Sequence, residues 1–98
     1  AQKKEYKAIG HHLRPVLTVT ESAPSEGVLA ELERALNDHE LIKVQLRLED
    51  RLERAELIET LCRAAGAQCV QSVGKTALLY RKNPKANTAL SNISRFLG

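Results

Sequence analysis

The side chains in this sequence that could act together chemically are cations. Arg14, Lys43, Lys75, Arg81, Lys82 and Lys7 are the candidates for contacting phosphate, with Lys3 and Lys4 as auxiliaries beside Lys7. Ammonium and guanidinium groups neutralise phosphate oxygens and release condensed counterions, so binding of this kind weakens steeply with salt. The distribution of charge is more telling than its total. Residues 1–20 carry net +3, residues 21–70 carry −5 and residues 71–98 carry +5, which together make the overall +3. From residue 71 onward there is no Asp or Glu. A fold that brings the two ends together would concentrate positive field on one face, and such a field attracts polyanions.

The sequence offers little for catalysis. It has no glycine-rich phosphate loop of the Walker or dinucleotide type, so no cofactor is expected. The carboxylates fall at helical surface spacing, where solvation and ion pairing explain them, and no nucleophile, base and orienting group can be assembled. His11, His12 and His39 offer no ligand spacing with Cys62 and Cys69, so no metal site is expected. The two cysteines fall on a helix and a neighbouring strand and read as buried reduced thiols rather than a bridge. No apolar run approaches the ~20 residues that a membrane span needs. The polar, basic start lacks the apolar stretch of a signal peptide. The expectation is a cytoplasmic protein without enzymatic activity, without a membrane partner and without a small-molecule substrate. A monomer is the expected state, although nothing in the sequence fixes it.

The elements that must position these cations can be read from periodicity. The 98 residues make one domain with a core of Leu, Val, Ile and Ala, since the aromatics are Tyr6, Tyr80 and Phe96 alone. Residues 2–12 predict a helix with Tyr6, Ile9 and Leu13 on one face, weakened at Gly10 and stopped by Pro15. Residues 16–20 predict a β-branched strand. Residues 24–38 predict a helix with the stripe Val28, Leu29, Leu32, Ala35 and Leu36 and with Pro24 at its first position. His39 reads as a residue at the end of that helix. Residues 41–47 alternate: Ile42, Val44 and Leu46 face a core, and Lys43, Gln45 and Arg47 form a polar, basic face. Asp50 caps a third helix whose stripe reads as Leu52, Ala55, Ile58, Leu61, Cys62 and Ala65, ended by Gly66. Residues 68–73 and 76–82 predict a hairpin turned at Gly74-Lys75. Residues 83–98 read as a tail in which Ile93, Phe96 and Leu97 could dock as one helical turn. The resulting fold class is α/β: a mixed four-stranded sheet with three helices in the order α-β-α-β-α-β-β, spanning 1–82. Tyr6 and Tyr80 are expected in the core, so stacking platforms for bases are scarce and recognition of backbone and shape is favoured.

Three segments make a more specific statement. They are EGVLAELERALNDHELIKV at 26–44, Glu49-Asp50-Arg51, and VGKTALLYR at 73–81, with Leu13-Arg14-Pro15 as lead-in. Together they resemble the CRM domain, named for chloroplast RNA splicing and ribosome maturation, and in particular its stand-alone bacterial, YhbY-like members. The resemblance runs over about residues 3–81. It implies an α/β domain similar to the C-terminal domain of translation initiation factor 3. It also implies RNA binding, with ribosomal RNA or the precursor large ribosomal subunit as partner. The family's GxxG loop falls at Thr20, Glu21, Ser22 and Ala23, where both glycines are missing and Glu21 adds negative charge. The grip on RNA that such a loop implies is therefore not carried onto these residues.

Each cation also has an ordinary role available: Lys43 in an ion pair with a helix carboxylate, Arg81 as a strand terminus, Lys75 as a turn residue. The rival function is a protein-interaction module that binds a basic partner through an acidic helix surface from Glu26 to Glu59, which includes Glu31 and Glu33.

Overall fold

The computed structural model describes residues 2–85 and 89–97, leaving aside the side chains of Gln2, Lys3 and Leu97. Among these residues the order is α1 (Gln2–Gly10), β1 (Pro15–Val19), α2 (Glu26–His39), β2 (Leu41–Leu46), α3 (Arg51–Ala65), β3 (Gln68–Val73), β4 (Thr76–Tyr80) and α4 (Asn92–Leu97). The strands lie in the order β1-β2-β4-β3. β1 runs parallel to β2, while β4 is antiparallel to both β2 and β3. The mixed α/β sheet expected from the sequence is therefore present, with a further helix beyond it. The β3–β4 hairpin folds back so that β4, the more apolar strand, enters between β2 and β3. Gly74 takes a positive φ of 56° at the hairpin, as its place in a two-residue turn requires.

The helix ends follow their local chemistry, with two corrections. Pro24 lies outside α2. Ser25 is the cap, its Oγ accepting from the Val28 amide at 3.2 Å. In α3, Asp50 Oδ1 accepts from the amides of Leu52 and Glu53, and Gly66 closes the helix in the left-handed region at φ 64°. The stripe of α3, however, is shifted in phase. Leu57 is buried and Leu52 is 68 % exposed, with Ala55 exposed as well. Leu57 and Leu61 are four apart and share a face with Ile58, Cys62 and Ala65, whereas Leu52, five before Leu57, is rotated well away from it.

Two cores form, one on each side of the sheet. Leu32 and Leu36 of α2 and Leu57 and Leu61 of α3 pack on Val19, Ile42, Val44, Leu46, Ala77 and Leu79. On the opposite side Tyr6 and Ile9 of α1 pack on Leu41, Val70 and Leu78, with Leu13, Tyr80 and Ile93 of α4 at the margin. Gly10 brings α1 close to the sheet: a β-carbon there would lie 2.8 Å from Leu78 Cδ2. The face of β2 expected to be polar is thus polar only in part, because α1 and α4 cover its Leu41 end.

Residues beyond β4 are tied to the α2–β2 corner through Glu40. This residue holds a positive φ of 60°, unusual without glycine. Its carboxylate accepts from the Ser91 hydroxyl at 2.7 Å and from the Asn83 amide at 2.9 Å, and Asn92 Nδ2 donates to the Leu41 carbonyl at 2.7 Å. His39 Nδ1 donates to the Leu90 carbonyl at 2.8 Å, so the last residue of α2 also holds this segment.

Candidate nucleic-acid interface

The sheet divides the helices by charge. Formal charges along α2 total −3 and along α3 zero; α1 carries +2 and α4 +1. The acidic middle of the sequence therefore supplies the helices of one face, and the basic ends supply those of the other. The part of the second face that α1 and α4 leave uncovered is bounded by Lys43, Gln71, Val73 and Thr76, with His11 at the end of α1. These residues line a shallow groove of about 170 Å³. Thr18 and Gln45 continue the same face, since Thr18 pairs with Gln45 and Gln45 with Thr76. Val73 is 61 % exposed there.

The cations expected to contact phosphate take different positions. Lys43 lies half-buried in the groove, pointing away from the main core. Lys4, Arg14 and Lys82 are exposed, and Lys7 is half-buried on α1. The Lys3 side chain lies outside the described residues. Lys75 is exposed at the hairpin, and its Nζ donates to Glu49 Oε1 at 2.7 Å. That contact holds the Glu49 carboxyl below its usual range. Arg47, which shares the alternation of Lys43, is exposed at the end of β2.

Arg81 is occupied elsewhere. Its guanidinium pairs with the Glu33 carboxylate and donates to the Ala65 carbonyl at 2.8 Å and to Asn37 Oδ1 at 2.6 Å. Its side chain is only 18 % exposed. It joins the end of β4 to α2 and α3, on the acidic side of the sheet. The geometry makes Arg81 a brace between elements rather than a surface cation. The same contact engages Glu33, and Glu31 pairs with Arg34 at 3.1 Å, so both carboxylates named for an acidic docking surface already have partners.

The β1–α2 loop is exposed at Thr20, Glu21, Ser22 and Ala23, and none of these residues has a positive φ. The connection is therefore made without the conformations that would demand glycine. Tyr6 and Tyr80 contact each other with ring centroids 4.8 Å apart, Tyr6 buried and Tyr80 half-buried. Cys62 and Cys69 are half-buried thiols. Desolvation pushes the Cys62 thiol up to about 11, with the neighbouring Cys69 adding to the rise. Among the described residues, no group of three or more His, Cys, Asp and Glu could hold a metal ion, and no helix is long and apolar enough to cross a membrane.

One aromatic cluster escaped the sequence reading. The rings of His12 and Phe96 lie nearly parallel, 17° apart, with centroids separated by 6.1 Å, and the Arg95 guanidinium sits 5.9 Å from the Phe96 centroid. Eighty-four positions separate the two rings, and no periodicity links them.

A mixed sheet with the net-acidic α2 and the neutral α3 on one face and the basic α1 and α4 on the other defines a small α/β domain. The chain belongs to the CRS1/YhbY (CRM) domain family, whose model matches residues 1–81. It is 64 % identical over 97 residues to a probable RNA-binding protein of Pseudomonas aeruginosa, covering 99 % of this chain and 93 % of that one. It is 42 % identical over 89 residues to an RNA-binding protein of Haemophilus influenzae, covering 91 % and 90 %. The fold is similar to the solution structure of a hypothetical Staphylococcus aureus protein described as a candidate RNA-binding protein. The TM-score is 0.76 at 26 % identity, covering 86 % of this chain and 88 % of that one.

Proposed function

We propose that this chain is a non-enzymatic, cytoplasmic RNA-binding protein that associates with ribosomal RNA or the precursor large ribosomal subunit. The observation that carries the proposal is the partition of charge across the sheet. The acidic α2 covers one face, and α1, α4 and the open groove at Lys43 belong to the other. Membership of the CRM family and the RNA-binding names of its relatives support RNA as the polyanion. Lys4, Lys7, Arg14, Lys43, Lys82 and Arg47 are the proposed phosphate contacts, with Lys75 available if it exchanges Glu49 for phosphate. Arg81 drops out of this set because its donors already serve the fold.

Phosphate binding by several dispersed cations gives a binding constant whose logarithm falls linearly with the logarithm of salt concentration, with slope set by the number of contacts. Titration of a structured ribosomal RNA fragment at several salt concentrations tests this. A steep negative slope, reduced by about one contact in Lys43→Gln, is expected. Affinity independent of salt would remove the phosphate surface. Crosslinking in cells, followed by sequencing of the bound RNA, tests the ribosomal assignment. A lack of ribosomal RNA enrichment would remove it.

A further inference from the structure

The residues that follow the family-matched region 1–81 build a feature that the sheet alone does not have. α4 sits beside α1, and between them and the start of β1 opens a groove of about 360 Å³. Its walls include His12, Arg14, Val16, His39, Arg95 and Phe96, and no acidic residue lines it. That volume falls within the roughly 300–1,000 Å³ of sites that take small ligands. The near-parallel His12 and Phe96 rings provide an aromatic surface, and Phe96 is 45 % exposed despite its size. Arg14 and Arg95, both exposed, also line the groove, and the Arg95 guanidinium sits 5.9 Å from the Phe96 centroid.

An aromatic surface flanked by cations, with no acidic residue in the lining, matches one chemical unit: a flat base attached to a phosphate. Bases stack on aromatic side chains irrespective of sequence, and guanidinium binds phosphate through paired donors. We propose that this groove binds a single unpaired nucleotide of RNA, its base stacked on the His12–Phe96 pair and its phosphate held by Arg14 and Arg95. The site rests on the RNA-binding reading above and adds selectivity to it. Paired bases are stacked within the helix and cannot enter, so the groove selects RNA that presents a loop, bulge or end.

The site depends on the anchoring of α4. Ser91 and Asn92 fix its start to Glu40 and Leu41, Ile93 packs against the second core, and Arg95 and Phe96 are left at the rim. Both rings sit on the surface, so each can be changed with little loss of core packing. Phe96→Leu keeps an apolar side chain against the helix and removes the ring. His12→Ala removes the opposite ring from a separate element.

The test compares two RNAs with equal numbers of phosphates at fixed salt, by fluorescence anisotropy: a hairpin with an adenine-rich loop and a fully paired duplex. A 2-aminopurine placed in the loop reports stacking directly. The expected result is a loss of roughly five- to a hundredfold in hairpin affinity for Phe96→Leu, and a similar loss for His12→Ala. Duplex affinity should be unchanged, and the 2-aminopurine quenching seen with the wild type should disappear. Wild-type hairpin affinity retained by both variants, or equal loss on hairpin and duplex, would overturn the site while leaving RNA binding intact. A wild-type protein that binds neither RNA would overturn the RNA-binding reading as well.

Discussion

Arg81 and Lys43 show how two cations of similar appearance in sequence come to occupy different surroundings. Both lie in or beside strands. Arg81 follows directly on β4, beside α2 and α3, and its planar fork meets a carboxylate, an amide oxygen and a main-chain carbonyl. Lys43 projects from the opposite side of β2 into an open groove. Arg81→Ala should therefore cost stability, on the order of 1–3 kcal/mol for donors to charged and polar partners, as a drop in the urea midpoint. Lys43→Glu should leave the midpoint almost unchanged and weaken RNA binding. A large loss of stability in Lys43→Glu would mean that its stem, rather than its charge, is what the fold uses.

At the scale of elements, the phase of α3 and the anchoring of α4 are the points at issue. Leu57→Ala opens a cavity beneath α3 and should cost about 2–5 kcal/mol, whereas Leu52→Ala, on the exposed turn, should fall within about 0.5 kcal/mol of wild type. Comparable losses in the two variants would contradict the observed phase. Glu40 presents a sharper case. Its positive φ is a conformation that glycine adopts freely, so Glu40→Gly relieves backbone strain while deleting the carboxylate that receives Ser91 and Asn83. The variant should lose amide protection selectively in 91–97, with the sheet remaining protected. Protection retained throughout α4 would show that Ile93 packing and the Asn92 bond are sufficient anchors.

For the whole molecule, two groups couple the fold to alkaline pH. Burial pushes the Cys62 thiol up to about 11 from an ordinary value of 9.0. It pushes the Tyr80 hydroxyl up to about 12 from 10.0, with the contact to Tyr6 adding to the rise. Both groups are favoured in their protonated form when folded. Their contribution to stability is complete below the unfolded values, near pH 9 and 10, and is lost as pH climbs to about 11 and 12, because the unfolded chain ionises first. Urea midpoints at pH 8, 10 and 12 should fall along this series, and Cys62→Ala should flatten the lower part of the fall. A midpoint that stays level across the range would contradict the linkage. The layers make a second whole-molecule statement: the net-acidic α2 and the neutral α3 pack on one core and the basic α1 and α4 on the other, so the helices at the two ends of the sequence share one side of the sheet.

Local chemistry carried much of this in the sequence alone. Asp50, Gly66 and Gly74-Lys75 mark their caps and turn by rules that act within a few residues. The alternation from Ile42 to Leu46 gives a strand face, and the segments 26–44 and 73–81 give the family. Other features depend on partners distant along the chain. The side of the sheet that α1 would cover, the burial of Leu57 in place of Leu52, the capture of Arg81 by Glu33 and Asn37, and the meeting of His12 with Phe96 are set by packing between remote elements. A side chain's period fixes the direction in which it points along its own element, but what it meets there is decided only when the sheet is layered.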